Sequence, residues 1–289
     1  MARNKHHRPA GKYDRRPPSP AAEPSQGDRP RRPERKGGGG GQRGDAHWLH
    51  GRHAVLAAIA NPFRELRQLW ITREAQSRFA DELAQALARR QGNTVQPQLV
   101  DRGDIEAALG NAVHQGIAAL VAPLPEQDLS DVLPADDQDC VVMVLDQVTD
   151  PHNVGAILRS AEAFGATAVV VTERHAPEET GTLAKAASGA LERMPLIRVI
   201  NLVRELEFLK SRGFWILGLA GEATQSLTQG KPGGRVALVL GAEGEGLRRL
   251  TRERCDVLVR LPMSGAMPSL NVSTAAAVAL YELNRARLT

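Results

Sequence analysis

The 289-residue chain is poor in aromatic side chains, which make up 3% of it, and it has two cysteines, Cys140 and Cys255. Scarce aromatics argue against a broad stacking sheet of the kind that holds single-stranded nucleic acid. Two cysteines without a CxxC or Cys/His ligand spacing argue against a zinc site and fit a reducing compartment. No apolar run approaches the roughly 20 residues of a membrane span. The N-terminus lacks the apolar core of a secretory signal. The expectation is a cytoplasmic protein with no membrane association and no metal.

What the chain does contain is enough apolar residue, 42%, for a sizeable core. The length allows one or two domains at roughly 100–200 residues each. The net charge of +4 is unevenly placed: residues 1–45 hold 12 Lys/Arg against 5 Asp/Glu, and the rest holds 25 against 28. Such a basic arm suits a polyanion, because each neutralised phosphate releases counterions; a solubilising tail without a partner is the alternative. Its proline clusters and the five glycines at 37–41 leave too little apolar surface to offset the entropy of ordering, so disorder is expected over 1–45.

Residues 46–123 alternate between helical and extended patterns. Helices are predicted over Gly51–Ala60, Glu74–Arg90 and Asp104–Leu109, and strands over Arg67–Ile71, Val95–Val100 and Gly116–Val121. Residues 124–139, acidic and with Pro125, read as a linker. Residues 140–289 alternate again, with strands at Cys140–Leu145, Ala168–Val171, Leu196–Ile200, Phe214–Leu219, Arg235–Leu240 and Asp256–Leu261. Helices fit Val154–Phe164, Thr182–Leu191, Leu202–Arg212, Gly246–Arg254 and Val272–Arg287. The near-continuous apolar strands belong in a mostly parallel α/β sheet covered on both faces. Ligands in such sheets sit beyond the carboxyl ends of the strands, here after Leu145, Leu219, Leu240 and Leu261.

Three loops at those ends carry polar residues. In the first, Asn153 is placed to cap a helix starting at Val154, and Arg159 lies off the buried face; a cap and a solvated arginine explain the pair as well as a function does. In the second, Gly241-Ala-Glu-Gly-Glu-Gly246 matches neither dinucleotide nor triphosphate glycine spacing. Its Glu243 and Glu245 would repel phosphate. The loop better suits a ligand with hydroxyls or a cationic centre, or is an ordinary turn. In the third, Ser269 and Asn271 stand at the threshold of the last helix, and either can be its cap. Arg248, Arg249, Arg252 and Arg254 crowd the helix after the glycine loop, where they either meet phosphate or form a solvated face balanced by Glu245 and Glu253.

The stretches NVGAILRSAEAFGA, LVLGAEGEGL and LPMSGAMPSLNVSTAAAVALYE resemble, in order and spacing, the three motifs of the TrmH family in the SPOUT superfamily. HGRHAV, VHQGIAALV and ASGALERMPLIRV are similar to the bacterial subgroup that methylates the peptidyl-transferase-loop guanosine of 23S ribosomal RNA. The resemblance covers 47–289 and leaves the tail outside. It implies a SPOUT fold with a trefoil knot in 140–289, preceded by a ribosomal-protein-like RNA-binding unit over 46–123. It implies S-adenosyl-L-methionine as methyl donor, a homodimer with the site near the subunit interface, and ribosomal RNA or a pre-ribosomal particle as partner. It places Asn153, Arg159, Glu243, Ser269 and Asn271 at the catalytic centre, with Leu219, Ala220, Gly221, Gly241, Leu261 and Leu270 lining the donor pocket. Arg248 and Arg249 are candidates for RNA contact. A transfer-RNA methyltransferase and a non-catalytic ribosome-assembly protein remain as alternatives; the wrong glycine spacing disfavours an oxidoreductase.

Overall fold

A computed structural model of the protein describes residues 46–90, 95–230, 232–264 and 269–288; the basic tail and its expected disorder lie outside them. The first α/β unit runs β1 (His47–His50), α1 (Arg52–Ala60), β2 (Leu66–Ile71), α2 (Arg73–Arg78), α3 (Ala80–Arg89), β3 (Gln98–Leu99), α4 (Arg102–Leu109) and β4 (Ile117–Val121). Its strands lie in the order β1-β4-β2-β3. Strand β1, HWLH, was not predicted. It exists because Leu49 and Ala119 come level across an antiparallel pairing with β4, a contact far along the chain. The helix predicted over Glu74–Arg90 is two helices, broken at Phe79, whose backbone leaves helical geometry as its ring enters the core. Of the strand predicted over Val95–Val100, only Gln98–Leu99 pairs, alongside Trp70 and Ile71.

The segment read as a linker contains a short helix, α5 (Leu129–Val132), anchored by buried Leu129. There follow β5 (Val141–Asp146), α6 (Pro151–Ala163), β6 (Ala168–Thr172), α7 (Gly181–Ala187), β7 (Leu196–Val199), α8 (Leu202–Ser211), β8 (Trp215–Leu219), β9 (Gln225–Ser226), α9 (Leu227–Gly230), β10 (Val236–Gly241), α10 (Arg249–Arg254), β11 (Val257–Arg260) and α11 (Val272–Asn284). Seven strands form one sheet, ordered β7-β6-β5-β10-β8-β11-β9, and every recorded pairing in it is parallel. All six residues of β5 are buried, as are the first five of β10. This is the pattern of strands covered on both faces. The order reverses between β5 and β10, where Asp146 and Gly241 stand side by side at the carboxyl ends. In doubly wound sheets this crevice is where ligands bind.

One core serves both sheets. Leu49, Val55, Ile59 and Leu69 of the first unit join Val154, Ile157, Leu183 and Ala187 of the second in a single buried cluster. A second cluster lies on the opposite face of the seven-stranded sheet, under α8, with Val142, Val144, Val170, Leu206, Leu209 and Val239.

Candidate active site

The first loop starts its helix three residues earlier than the sequence pattern predicts. Pro151 occupies the first turn, where its fixed φ costs nothing. The Asp150 side chain accepts the His152 backbone N–H at 3.0 Å and is the cap. Asn153 is therefore not the cap. It sits in the first turn, 8% exposed, with its amide released for contacts across the sheet edge.

Those contacts go to the other two loops. The Asn153 amide donates to Glu243 Oε1 at 3.1 Å. The Asn271 amide donates to the same oxygen at 2.7 Å and to Asn153 Oδ1 at 3.0 Å. The remaining Asn271 oxygen caps α11, accepting from the Ser273 and Thr274 backbone N–H groups at 2.9 and 3.4 Å and from the Ser273 hydroxyl at 2.5 Å. Asn271, not Ser269, is the cap. Three residues, separated by 90, 118 and 28 positions pairwise, thus form one hydrogen-bonded cluster at the crevice.

The glycine loop is folded onto itself. A bridge joins Ala242 to Gly246, whose N–H donates to the Ala242 carbonyl at 3.0 Å. A Cβ on Gly241 would lie 2.0 Å from the Gly246 carbonyl carbon, so no other residue fits that turn. Gly244 and Gly246 hold φ of +82° and +68°, the left-handed region that favours glycine. The loop is tied to the end of β5 by Asp146. Its fully buried carboxylate accepts the Arg248 backbone N–H at 3.0 Å and Nε at 2.5 Å. The only sequence signal was an acidic residue closing an all-apolar strand.

That bond changes the picture of the arginine cluster. Arg248 is engaged with Asp146, with its side chain 42% exposed. Arg249 pairs with Glu253, Arg252 with Glu222 and Arg254 with Glu207, all at the exposed surface. Arg159 is exposed, and its side chain makes no hydrogen bond or ion pair among the described residues. Six residues beyond Asn153 on α6, it lies about 240° round the helix at roughly 100° per residue. Glu243 therefore bonds the two asparagines of its own chain and not Arg159.

The residues expected to line a pocket end the neighbouring strands. Leu219 closes β8, and the N–H of Ala220 donates to the Val259 carbonyl of β11 at 2.9 Å. Nothing lies within 4 Å of where a Cβ of Gly221 would stand. Leu261 is half-buried, and Leu270 and Met263 are each 39% exposed. Apolar side chains standing open at the carboxyl ends of the strands suit the ring and ribose of a nucleoside, and Glu243 nearby suits a cationic centre. S-adenosyl-L-methionine offers both. Behind this wall, Gly218 leaves room for Cys255 Sγ, which a Cβ would approach to 2.7 Å. Burial, helped by the Asp256 charge, pushes the Cys255 thiol up to about 12. Residues 265–268 of the third motif lie outside the described residues.

Comparison with known proteins agrees with this arrangement. Residues 140–281 match the model of the SpoU rRNA methylase family, and residues 48–127 match that of the RNA 2′-O ribose methyltransferase substrate-binding domain. The chain is 44% identical over 242 residues to the 23S rRNA (guanosine-2′-O-)-methyltransferase RlmB of Escherichia coli K12, covering 83% of this chain and 98% of that protein. It is 43% identical over 244 residues to RlmB of Vibrio vulnificus, covering 83% and 97%. Among solved structures, the SpoU methyltransferase AviRb of Streptomyces viridochromogenes in complex with AdoMet has the same fold, with a TM-score of 0.70 and 24% identity over 86% of this chain and 92% of that one. A putative TrmH-family RNA methyltransferase of Porphyromonas gingivalis superposes with a TM-score of 0.65 at 25% identity, over 84% and 90%. Two successive family matches and relatives aligned over nearly their whole length leave one assignment: this chain belongs to the SpoU rRNA methylase family.

Proposed function

We propose that the protein transfers a methyl group from S-adenosyl-L-methionine to the ribose 2′-hydroxyl of a guanosine in the peptidyl-transferase loop of 23S ribosomal RNA. The observation that carries this reading is the knot of Asn153, Glu243 and Asn271, which draws three loops to one crevice of a parallel sheet. The relatives' activity on a 23S guanosine supplies the substrate class.

The donor, when bound, supplies an electrophilic methyl on a sulfonium. The chain has two tasks: to align oxygen, carbon and sulfur, and to stabilise the oxygen as its proton passes to solvent water. Alignment alone is worth roughly 7–11 kcal/mol of a barrier. Leu219, Ala220, Gly221, Gly241, Leu261 and Leu270 would hold the donor at the strand ends, and the bonds among Asn153, Glu243 and Asn271 fix the loops that carry Gly241 and Leu270. Ser269 stands beside Leu270 to meet ribose or donor. Arg159 is the residue for the oxygen. A guanidinium does not deprotonate in proteins, so it acts as a fixed cation beside the forming alkoxide. Its place about 120° round α6 from Asn153 suits a site completed by a second copy of the chain. The exposed Val278 and Tyr281 of α11, with Phe164 edge-on to Tyr281 at 5.6 Å, offer an apolar face for that copy. Arg249, whose exposed pair with Glu253 is worth little, is free to exchange it for phosphate. Arg248 serves the Asp146 contact first and RNA only with its remaining nitrogens.

The test is methyl transfer from labelled donor to a 23S transcript, with the modified ribose mapped by mass spectrometry. One 2′-O-methylguanosine is expected. Arg159→Ala should abolish transfer while donor affinity stays within about twofold, since no donor contact is assigned to it. Donor-independent behaviour of the wild-type protein, or near-normal transfer by the variant, would contradict the reading.

A further inference from the structure

Arg64 is the largest fully buried side chain among the described residues, at 0% exposure. It belongs to the substrate-binding unit, yet its two carboxylate partners lie in the methylase unit. Its Nε and Nη2 reach Glu192 Oε1 at 3.0 and 2.8 Å, and its Nη1 reaches Glu179 Oε2 at 3.0 Å and the Ala122 carbonyl at 2.8 Å. The two carboxylates are 2% and 12% exposed. Asn61 donates to both the backbone and the side chain of Glu192, and Glu179 Oε2 accepts the Leu124 N–H at 3.1 Å. Around this ionic centre the two units touch without space to spare. A Cβ on Gly181 would lie 2.6 Å from His50 Cδ2 and 2.8 Å from the Trp48 carbonyl; one on Gly189 would lie 2.9 Å from Ala57 Cβ. Lys185 Nζ donates to the Val113 carbonyl at 3.1 Å.

The same segment bears on the site. Helix α7, which starts at Gly181, lies against α6 so closely that a Cβ on Gly155 would stand 2.5 Å from Ala186 Cβ and 2.8 Å from the Leu183 carbonyl. Gly155 is two residues from Asn153 and four from Arg159. An unbroken run of hard contacts thus leads from the substrate-binding unit through α7 to the catalytic helix. A buried ionic set contributes little net stability over apolar packing, and its best-attested use is to fix one geometry.

We propose that Arg64, Glu179 and Glu192 are specificity-determining positioning residues: they lock the substrate-binding unit at one distance and angle from the methyl-transfer crevice, so that the ribose reached is chosen by a fixed span from the RNA element that unit holds. The proposal rests on the methyl-transfer reading above. None of the three touches donor or ribose; they act through α7 and α6.

The experiment compares the wild-type chain with Arg64→Met/Glu179→Gln/Glu192→Gln, which removes every charge of the set together and keeps its volume. Glu179→Gln alone, which retains an acceptor for Arg64 and Leu124, is the milder variant. Each is assayed for donor affinity, for methylation at every ribose of a 23S transcript, and for amide hydrogen exchange of β1 and α7. Donor affinity should be unchanged. The kcat/KM at the target ribose should fall roughly 10- to 100-fold in the triple variant, the cost expected of a displacement on the order of 1 Å, while methylation of neighbouring riboses rises relative to it. Glu179→Gln should move the same ratio in the same direction by less. Protection of β1 and α7 should fall in step. A uniform loss at all riboses, an unchanged ratio in both variants, or unchanged protection would overturn the proposal. A wild-type chain that methylates no ribose would instead defeat the methyl-transfer reading, and the exchange result would then judge the lock by itself.

Discussion

Removing the Asp146 carboxylate tests whether the glycine loop is held from below, as the geometry indicates. In Asp146→Ala, the Arg248 backbone N–H loses its acceptor and the Arg248 guanidinium loses its partner. Two hydrogen bonds to a fully buried charge disappear together. Arg248 is 42% exposed and regains water, which screens much of the ionic part. The stranded backbone group and the void beside β5 remain. The expected cost is about 1.5–3 kcal/mol, the range for a hydrogen bond to a charged group. For a folded unit of this size, about 2–4 °C of melting temperature follow each kcal/mol. The melting temperature should therefore fall by roughly 3–12 °C. Because the loop carries Glu243, donor affinity by titration calorimetry should weaken as well, by about tenfold for each 1.4 kcal/mol the loop no longer holds. Asp146→Asn keeps one acceptor for the Arg248 N–H and should recover part of both losses. A melting temperature and a donor affinity both equal to wild type in Asp146→Ala would refute the reasoning, because the bond would then be idle.

Other outcomes follow from the same geometry. Gly241→Ala places a methyl 2.0 Å from the Gly246 carbonyl carbon, so the bridge from Ala242 to Gly246 must open and donor binding should be lost; a calorimetric affinity equal to wild type would contradict this. Burial raises the Cys140 thiol above its ordinary value and pushes Cys255 up to about 12. Neither should react with a thiol reagent near pH 8 until the chain is denatured, and labelling of the native protein at the rate of a free thiol would count against it. Burial also lowers His47 and His50 below the ordinary histidine value of 6.5, with Arg64 adding to the effect on His47 and Lys185 and His114 adding on His50. The unfolded chain then takes up protons that the folded chain refuses, so stability is full above 6.5 and is lost as the pH falls toward the depressed folded values. Thermal melts should show this decline on acidification from about pH 7.5 to 5.5; a flat profile would refute it.

The alternation of apolar runs was enough to place the parallel sheet, since β5, β6, β8, β10 and β11 all fall within a residue or two of their predicted spans. The crevice was legible for the same reason: polar residues at the carboxyl ends of apolar strands have few other tasks. What local pattern missed is also consistent. Strand β1 has four residues, two of them histidine, and exists only by pairing with β4 some seventy positions away. The start of α6 turned on Pro151 and Asp150 outcompeting Asn153 as a helix signal, and that shift is what frees Asn153 for Glu243 and Asn271. Asp146 and Arg64 are charged residues with buried fates, and nothing adjacent in sequence marks either one.

The sequence alone determined the fold class, the strand ends and the residue types gathered there, because hydrophobic period and glycine placement are local properties of a chain. It also determined the family, through three motifs in order. Tertiary structure decided which of those residues meet. It gave Asn271 both the cap of α11 and the bond to Glu243, set Arg248 on Asp146, left the Arg159 side chain without a partner among the described residues, and buried Arg64 between two carboxylates of the other unit. Such pairings depend on distances between chain segments far apart in sequence, and no periodicity encodes them.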